Sequence, residues 1–193
     1  MTSSRILVLT SLFLFIAIPV LAQDGALNVG DEMPPFSAET AEGTIWNSAD
    51  HVGDGLLVVY FYPAAMTGGC TDQACSFRDN RSKLSEHGAR VVGVSGDTVE
   101  GLEVFRRTNR INFPLLSDEH GRIARLFGVP VNDGGTFVTE VDGEKVELER
   151  GVTSARWTFI VDESGTIVYR DTDVNPAGDG ETVLAAVERL AAR

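Results

Sequence analysis

The order of apolar runs predicts an α/β domain, a sheet whose strands are joined by helical crossovers. Three observations carry this. Residues 56–62, Leu-Leu-Val-Val-Tyr-Phe-Tyr, form an unbroken β-branched and aromatic run, preceded by Gly53 and Gly55 and closed by Pro63, which reads as a buried strand. Charged, helix-patterned segments follow the strand-like runs where tight turns would otherwise stand, the alternation that goes with crossover connections. Near the C-terminus the pattern changes to a hairpin, with strands at 157–161 and 167–170 around the turn Glu163-Ser-Gly165.

The remaining elements follow in chain order. Residues 25–35 read as a loop-like lead-in, 44–46 as a short strand and 48–50 as a turn. Behind the strand at 56–62, small residues lead into a long helix that runs to about His87, then a strand at 90–95. A helix is expected at 99–109, a short strand at 114–117 and a second short helix at 120–127. Residues 131–151 are polar and Gly-rich, and read as a solvated surface hairpin or loop inserted into the fold. An amphipathic helix at 181–192 closes the chain, and no internal repeat is present.

The first residues read as a targeting segment. Arg5 supplies a positive start, residues 6–20 are almost wholly apolar, and Val20-Leu-Ala22 fits the small-residue cleavage rule. The run is short for a membrane span, and Thr10 and Ser11 interrupt it. Residues 1–22 are therefore expected to be a signal peptide and residues 23–193 the mature domain, exported to a bacterial periplasm with no membrane attachment after cleavage. About 170 residues are enough for one domain with its own core. The formal net charge of −12 argues against binding nucleic acid or an anionic membrane.

The chain holds two cysteines, Cys70 and Cys75, in the stretch directly behind the 56–62 strand. Cys70 falls near the first turn of the expected helix, where unpaired backbone N–H groups and the helix dipole favour an anion. The thiolate is the form of cysteine that attacks. Cys75 lies five positions further along the same helix, which places the two Cα atoms roughly 8.7 Å apart. A disulfide needs them within about 7 Å, so an intact helix cannot hold the bridge. Two readings stay open: two thiols that never meet, or a helix start that melts so that Cys75 reaches an oxidised Cys70. An oxidising compartment would otherwise make such a pair a structural disulfide, which the helix geometry argues against.

The motif around these residues carries a resemblance. Pro63-x-x-x-Thr67-x-x-Cys70 resembles the active-site signature of the peroxiredoxins, and Cys70-Thr-x-x-x-Cys75-x-Phe-Arg-Asp that of their bacterioferritin-comigratory-protein, or peroxiredoxin Q, branch. Val29-Gly-Asp-x-Met-Pro-Pro-Phe, Arg90-Val-Val-Gly-Val-Ser, Phe113-Pro-Leu-Leu-Ser-Asp and Arg156-Trp-Thr-Phe-Ile-Val-Asp resemble further family segments in the right order. The likeness spans nearly all of residues 29–190. It implies a thioredoxin-like fold, with a central mixed β-sheet flanked by helices, and a thiol-dependent peroxidase. The implied roles are peroxidatic for Cys70 and resolving for Cys75, joined in an intramolecular disulfide, with Arg156 as the active-site cation. The implied partners are a peroxide substrate and a thioredoxin-like dithiol reductant, with no cofactor, and a monomer is favoured over a dimer. Three positions depart from the family pattern: Ala64 where Lys is common, Gly68 where Pro is common, and Gln73 where Glu is frequent. The last removes the carboxylate expected to link to Arg156.

Peroxide chemistry needs these residue types. A thiolate must displace one oxygen of the O–O bond while charge on the departing oxygen is stabilised. Thr67 can set a hydroxyl beside the sulfur and a peroxide oxygen, the N–H groups near Gly69 and Cys70 add donors, and Arg156 offers a permanent charge in fixed geometry. Pro63 would shield one side of the pocket from water. Taken singly, Thr67 is equally a helix cap, Pro63 a strand terminator and Arg156 a surface strand residue.

Other readings fit less well. A Sco-type copper-delivery protein would carry Cys-x-x-x-Cys followed by Pro, and a disulfide oxidoreductase Cys-x-x-Cys; neither spacing is present. A non-catalytic binding module with an inert cysteine pair predicts slow reaction with peroxide. His51, His87 and His120 are scattered without metal-ligand spacing, and Asp171-x-Asp173-x-Asn175 lacks the Gly and Glu of a calcium loop, so no metal is expected.

Overall fold

The computed structural model describes residues 25–192; the signal peptide expected over residues 1–22 lies outside the described residues. The lead-in ends in a two-stranded antiparallel sheet, β1 (Ser37–Glu39) with β2 (Ile45–Asn47). The main sheet contains β3 (Leu56–Phe61), β4 (Ala89–Ser95), β5 (Leu115–Ser117), β8 (Trp157–Val161) and β9 (Ile167–Asp171), in the order β5-β4-β3-β8-β9. β3, β4 and β5 run parallel, while β8 is antiparallel to β3 and β9 antiparallel to β8. Helix α1 (Gly68–Glu86) connects β3 to β4, α2 (Val99–Asn109) connects β4 to β5, α3 (Arg122–Leu126) follows β5, and α4 (Asp179–Ala191) ends the chain. This is the thioredoxin-like arrangement that the resemblance implied, with the reversal from parallel to antiparallel pairing at the central strand.

β3 owes its unbroken apolar run to that central place. Val58, Tyr60 and Tyr62 face one core with Phe77 and Leu84 of α1, Leu102 and Phe105 of α2, and Val183 and Val187 of α4. Leu57, Val59 and Phe61 face a second core with Phe36, Trp46, Ile123 and Phe127. A strand covered on both faces has no exposed side to mark with polar residues. Gly93 of β4 is required by this packing: a Cβ there would lie 2.7 Å from the Tyr60 ring and 2.9 Å from Leu115.

Several boundaries differ from the expected ones. α3 begins at Arg122 because Gly121 adopts a φ of 62° and the Asp118 carboxylate accepts the N–H groups of Ile123 and Ala124, at 3.1 and 2.9 Å. Burial pushes the Asp118 carboxyl up even so. α4 begins at Asp179, two positions before the expected start. β1 falls outside the expected elements, being three residues held by pairing with β2. The polar insertion is a long hairpin, β6 (Val131–Val141) and β7 (Glu144–Ser154), and reaches three residues past the expected end.

Candidate active site

The site is assembled where β3 ends. The chain leaves the sheet at Tyr62, whose carbonyl accepts from the Ser154 hydroxyl at 3.0 Å. Half-buried Pro63 follows, where its missing N–H and fixed φ stop the strand. The loop is then pinned from below: Ala65 N–H donates to Asp97 Oδ2 at 2.8 Å, and the same oxygen accepts from the Ser95 hydroxyl at 2.8 Å. Met66 takes a left-handed φ of 62°, a strained conformation for a side chain of its size. Thr67 is the N-cap of α1; its hydroxyl donates back to Ala64 O at 2.8 Å and makes no cap bond. Gly68, Gly69 and Cys70 form the first turn, where an α-helix has no internal partner for their N–H groups.

Cys70 is 1% exposed and packs among the buried residues around Tyr60, Tyr62 and Phe77. Among the described residues, one charged group donates to its sulfur. Arg156 Nη2 donates to Cys70 Sγ at 3.3 Å. Arg156 lies outside the strands, in the short link between β7 and β8, so the hairpin return delivers it over the start of α1. Its second nitrogen, Nη1, donates to Gln73 Oε1.

Fully buried Gln73 continues the chain of bonds. Its Nε2 donates to Asp179 Oδ2 at 2.7 Å, and the Thr158 hydroxyl donates to the same oxygen at 2.8 Å. Asp179 is the first residue of α4 and 1% exposed, and burial pushes its carboxyl up to about 6. The Cys70 sulfur is thus connected through a guanidinium and an amide to a buried carboxylate on another helix. Such an arrangement can hold a thiolate and present donors to a second atom beside it. Among the described residues, no group of three or more His, Cys, Asp or Glu side chains converges to hold a metal ion.

Comparison with known proteins assigns the molecule. The family model described as AhpC/TSA family matches residues 29–170. The chain belongs to that family. Peroxiredoxin Bcp of Escherichia coli strain K12 is 36% identical over 159 residues, covering 82% of this chain and 94% of that protein. Among solved structures, peroxidoxin BcpB from Mycobacterium tuberculosis matches with a TM-score of 0.70 at 30% identity, over 85% of this chain and 98% of that one. Peroxiredoxin Q of Xanthomonas campestris matches with a TM-score of 0.68 at 28% identity, over 88% and 99%. This places the chain in the Bcp/peroxiredoxin Q branch of the peroxiredoxins, the thiol-dependent peroxidases.

Set on this peroxiredoxin, the expected site residues divide into two groups. Cys70 and Arg156 meet directly, and Pro63 and Thr67 bracket the loop that leads into α1. Cys75 takes no part in that contact; it is half-buried further along α1, and both cysteines are free thiols. A bond from Arg156 to this position is present although a glutamine stands in place of the glutamate, because the amide oxygen of Gln73 accepts. Gln73 was legible from its i, i+3 spacing to Cys70, which puts both on one face of α1. Thr158 and Asp179 carry no such local signal. Pro176, in the 3-10 turn before α4, also reaches the site: a Cβ built on Gly69 would lie 3.5 Å from Pro176 Cγ and 3.6 Å from Arg156 Nη2.

Proposed function

We propose that this peroxiredoxin reduces hydrogen peroxide and organic hydroperoxides by a two-cysteine cycle within one chain. The observation that carries the reading is the 3.3 Å approach of Arg156 Nη2 to Cys70 Sγ at the start of α1. The Cys70 thiolate attacks a peroxide oxygen: an S–O bond forms, the O–O bond breaks, and the departing alkoxide or hydroxide takes a proton to leave as alcohol or water. Arg156 and the first-turn N–H groups stabilise the charge on both oxygens. Thr67 turns its hydroxyl from the Ala64 carbonyl toward the peroxide, and Pro63 limits water on one side.

Cys75 then attacks the sulfenic sulfur of Cys70. An S–S bond forms, the S–O bond breaks, and hydroxide leaves as water after taking a proton. Five helical positions separate the sulfurs too widely for this in an intact helix, so the first turns of α1 unwind at this step. Supporting that motion, α1 opens on Gly68-Gly69 with no side-chain cap, a start of low intrinsic helix stability. A thioredoxin-like dithiol returns both thiols by exchange, supplying two electrons and two protons. The apolar leader over residues 6–20 supports export to a bacterial periplasm, where that reductant would be met, with the protein working as a monomer.

Stopped-flow mixing of reduced protein with hydrogen peroxide tests the reading. Rapid oxidation is expected in wild type and absent in Cys70→Ser; equal rates in the two overturn it.

A further inference from the structure

We propose that Asp179 is a positioning residue of this peroxidase, holding Arg156 against the Cys70 sulfur by fixing the Gln73 amide between them. The inference rests on the reading of Cys70 and Arg156 above.

A glutamine side chain has an accepting end and a donating end, and its neighbours decide which way each points. Arg156 can only donate, so the amide oxygen must face it; an ionised Asp179 can only accept, so the amide NH2 must face it. Two neighbours of opposite kind therefore lock one orientation. In that orientation Gln73 offers Arg156 Nη1 its acceptor, leaving Nη2 to point at the sulfur. The Thr158 hydroxyl, on β8 two residues beyond Arg156, anchors the same carboxylate oxygen. The link that carries the guanidinium, through β8 directly behind it, and the helix that carries the sulfur are thus both referred to Asp179.

Stability alone does not explain a carboxylate here. Asp179 is 1% exposed, and no described residue forms a direct ion pair with it. Its Oδ1 has no hydrogen-bond partner among the described residues. A buried charge met in this way is costly compared with a neutral side chain of the same shape. The bland alternative is that Asp179 merely pins α4 to α1, a task that Gly180 N–H already shares by donating to Ser76 Oγ at 3.0 Å. A pinning role moves the melting temperature and leaves the chemistry of Arg156 alone.

The test is a double-mutant cycle on the second-order rate constant for oxidation by hydrogen peroxide, using the full mature chain. Asp179→Asn is expected to slow the reaction about tenfold, as loss of alignment does. Arg156→Met is expected to slow it about a hundredfold or more, and adding Asp179→Asn to it to change the rate less than about twofold. An Asp179→Asn rate equal to wild type, or effects that multiply, overturns the proposal and leaves the site reading standing. An Arg156→Met rate equal to wild type overturns both. Should Asp179→Asn fold poorly, the exchange variant Gln73→Glu/Asp179→Asn keeps one carboxylate and one amide in the same space. It is expected within about threefold of wild type, and a rate hundredfold lower overturns the proposal.

Discussion

Arg150, near the end of the β6–β7 hairpin, meets Asp97 beneath the loop that carries the active site, with Nε 3.2 Å from Oδ1. Asp97 is fully buried, and its other oxygen takes the Ala65 N–H. The polar insertion is therefore tied to the floor of the site through a single carboxylate. Gly151 N–H to Gly96 O, at 2.9 Å, and Thr98 N–H to Glu149 O, at 3.1 Å, run beside that contact.

Removing Arg150 takes away the cation that faces the buried Asp97 side chain. Arg150→Ala should cost about 3 kcal/mol or more in folding free energy, read by urea denaturation. Because Asp97 also holds Ala65, the same variant should show faster amide exchange across residues 63–67. Loss of stability without that local loosening would separate the hairpin from the loop.

The two thiols should respond differently to peroxide. In Cys75→Ser, Cys70 has no partner to condense with and should carry one, then two or three, added oxygens in intact-mass spectra as peroxide rises. Wild type should lose two hydrogens instead, with peptide mapping placing the bond between residues 70 and 75. A wild-type protein that gains oxygens and forms no such bond removes Cys75 from the cycle.

Stability should fall with rising pH on account of Asp179. Burial holds its carboxyl at about 6 in the folded protein against an ordinary 3.8, so the folded state binds the proton more tightly than the unfolded chain. This contribution is full below about pH 4 and is lost as the pH climbs through about 6, a span worth at most about 3 kcal/mol. The free-energy difference between wild type and Asp179→Asn should therefore shift in favour of the variant across that window. Denaturation curves at intervals from about pH 4 to about pH 7 would show it; a difference that stays flat would place the carboxyl elsewhere on the scale.

α1 and α4 cross where only glycine fits. A Cβ on Gly180 would lie 2.5 Å from Ser76 O, a backbone atom that cannot swing aside. Gly180→Ala should push the helices apart at a cost of about 1 to 3 kcal/mol. The peroxide rate should drop with it, since the bond from Gln73 to Asp179 spans the same crossing. A stability loss with an unchanged rate would show that the crossing and the chemistry are independent.

What could be read from the chain, and what could not, follows from distance along it. The bounds of α2 coincide with the expected ones and those of α1 lie close to them, because charge and apolar spacing within a helix are local. The pairing of Cys70 with Arg156 was reachable only through motif resemblance, since 86 positions separate them. Asp179 was missed because an Asp-Gly pair reads as a turn, and its acceptor role depends on Gln73, 106 positions away. β1 was missed because three residues carry too little pattern to outweigh their loop-like neighbours. The extent of the hairpin was underestimated because a solvated ribbon has few apolar residues to mark its strands.

The depth of the Cys70 sulfur has a practical consequence for anyone labelling or inhibiting the enzyme. With 1% of the residue open to solvent, bulky electrophiles should be excluded while α1 is intact, whereas a molecule the size of hydrogen peroxide needs far less room. Maleimide dyes and covalent fragments should therefore tag Cys75 first, and selective inhibitors would do best to be small, oxygen-rich and shaped to lie along a guanidinium.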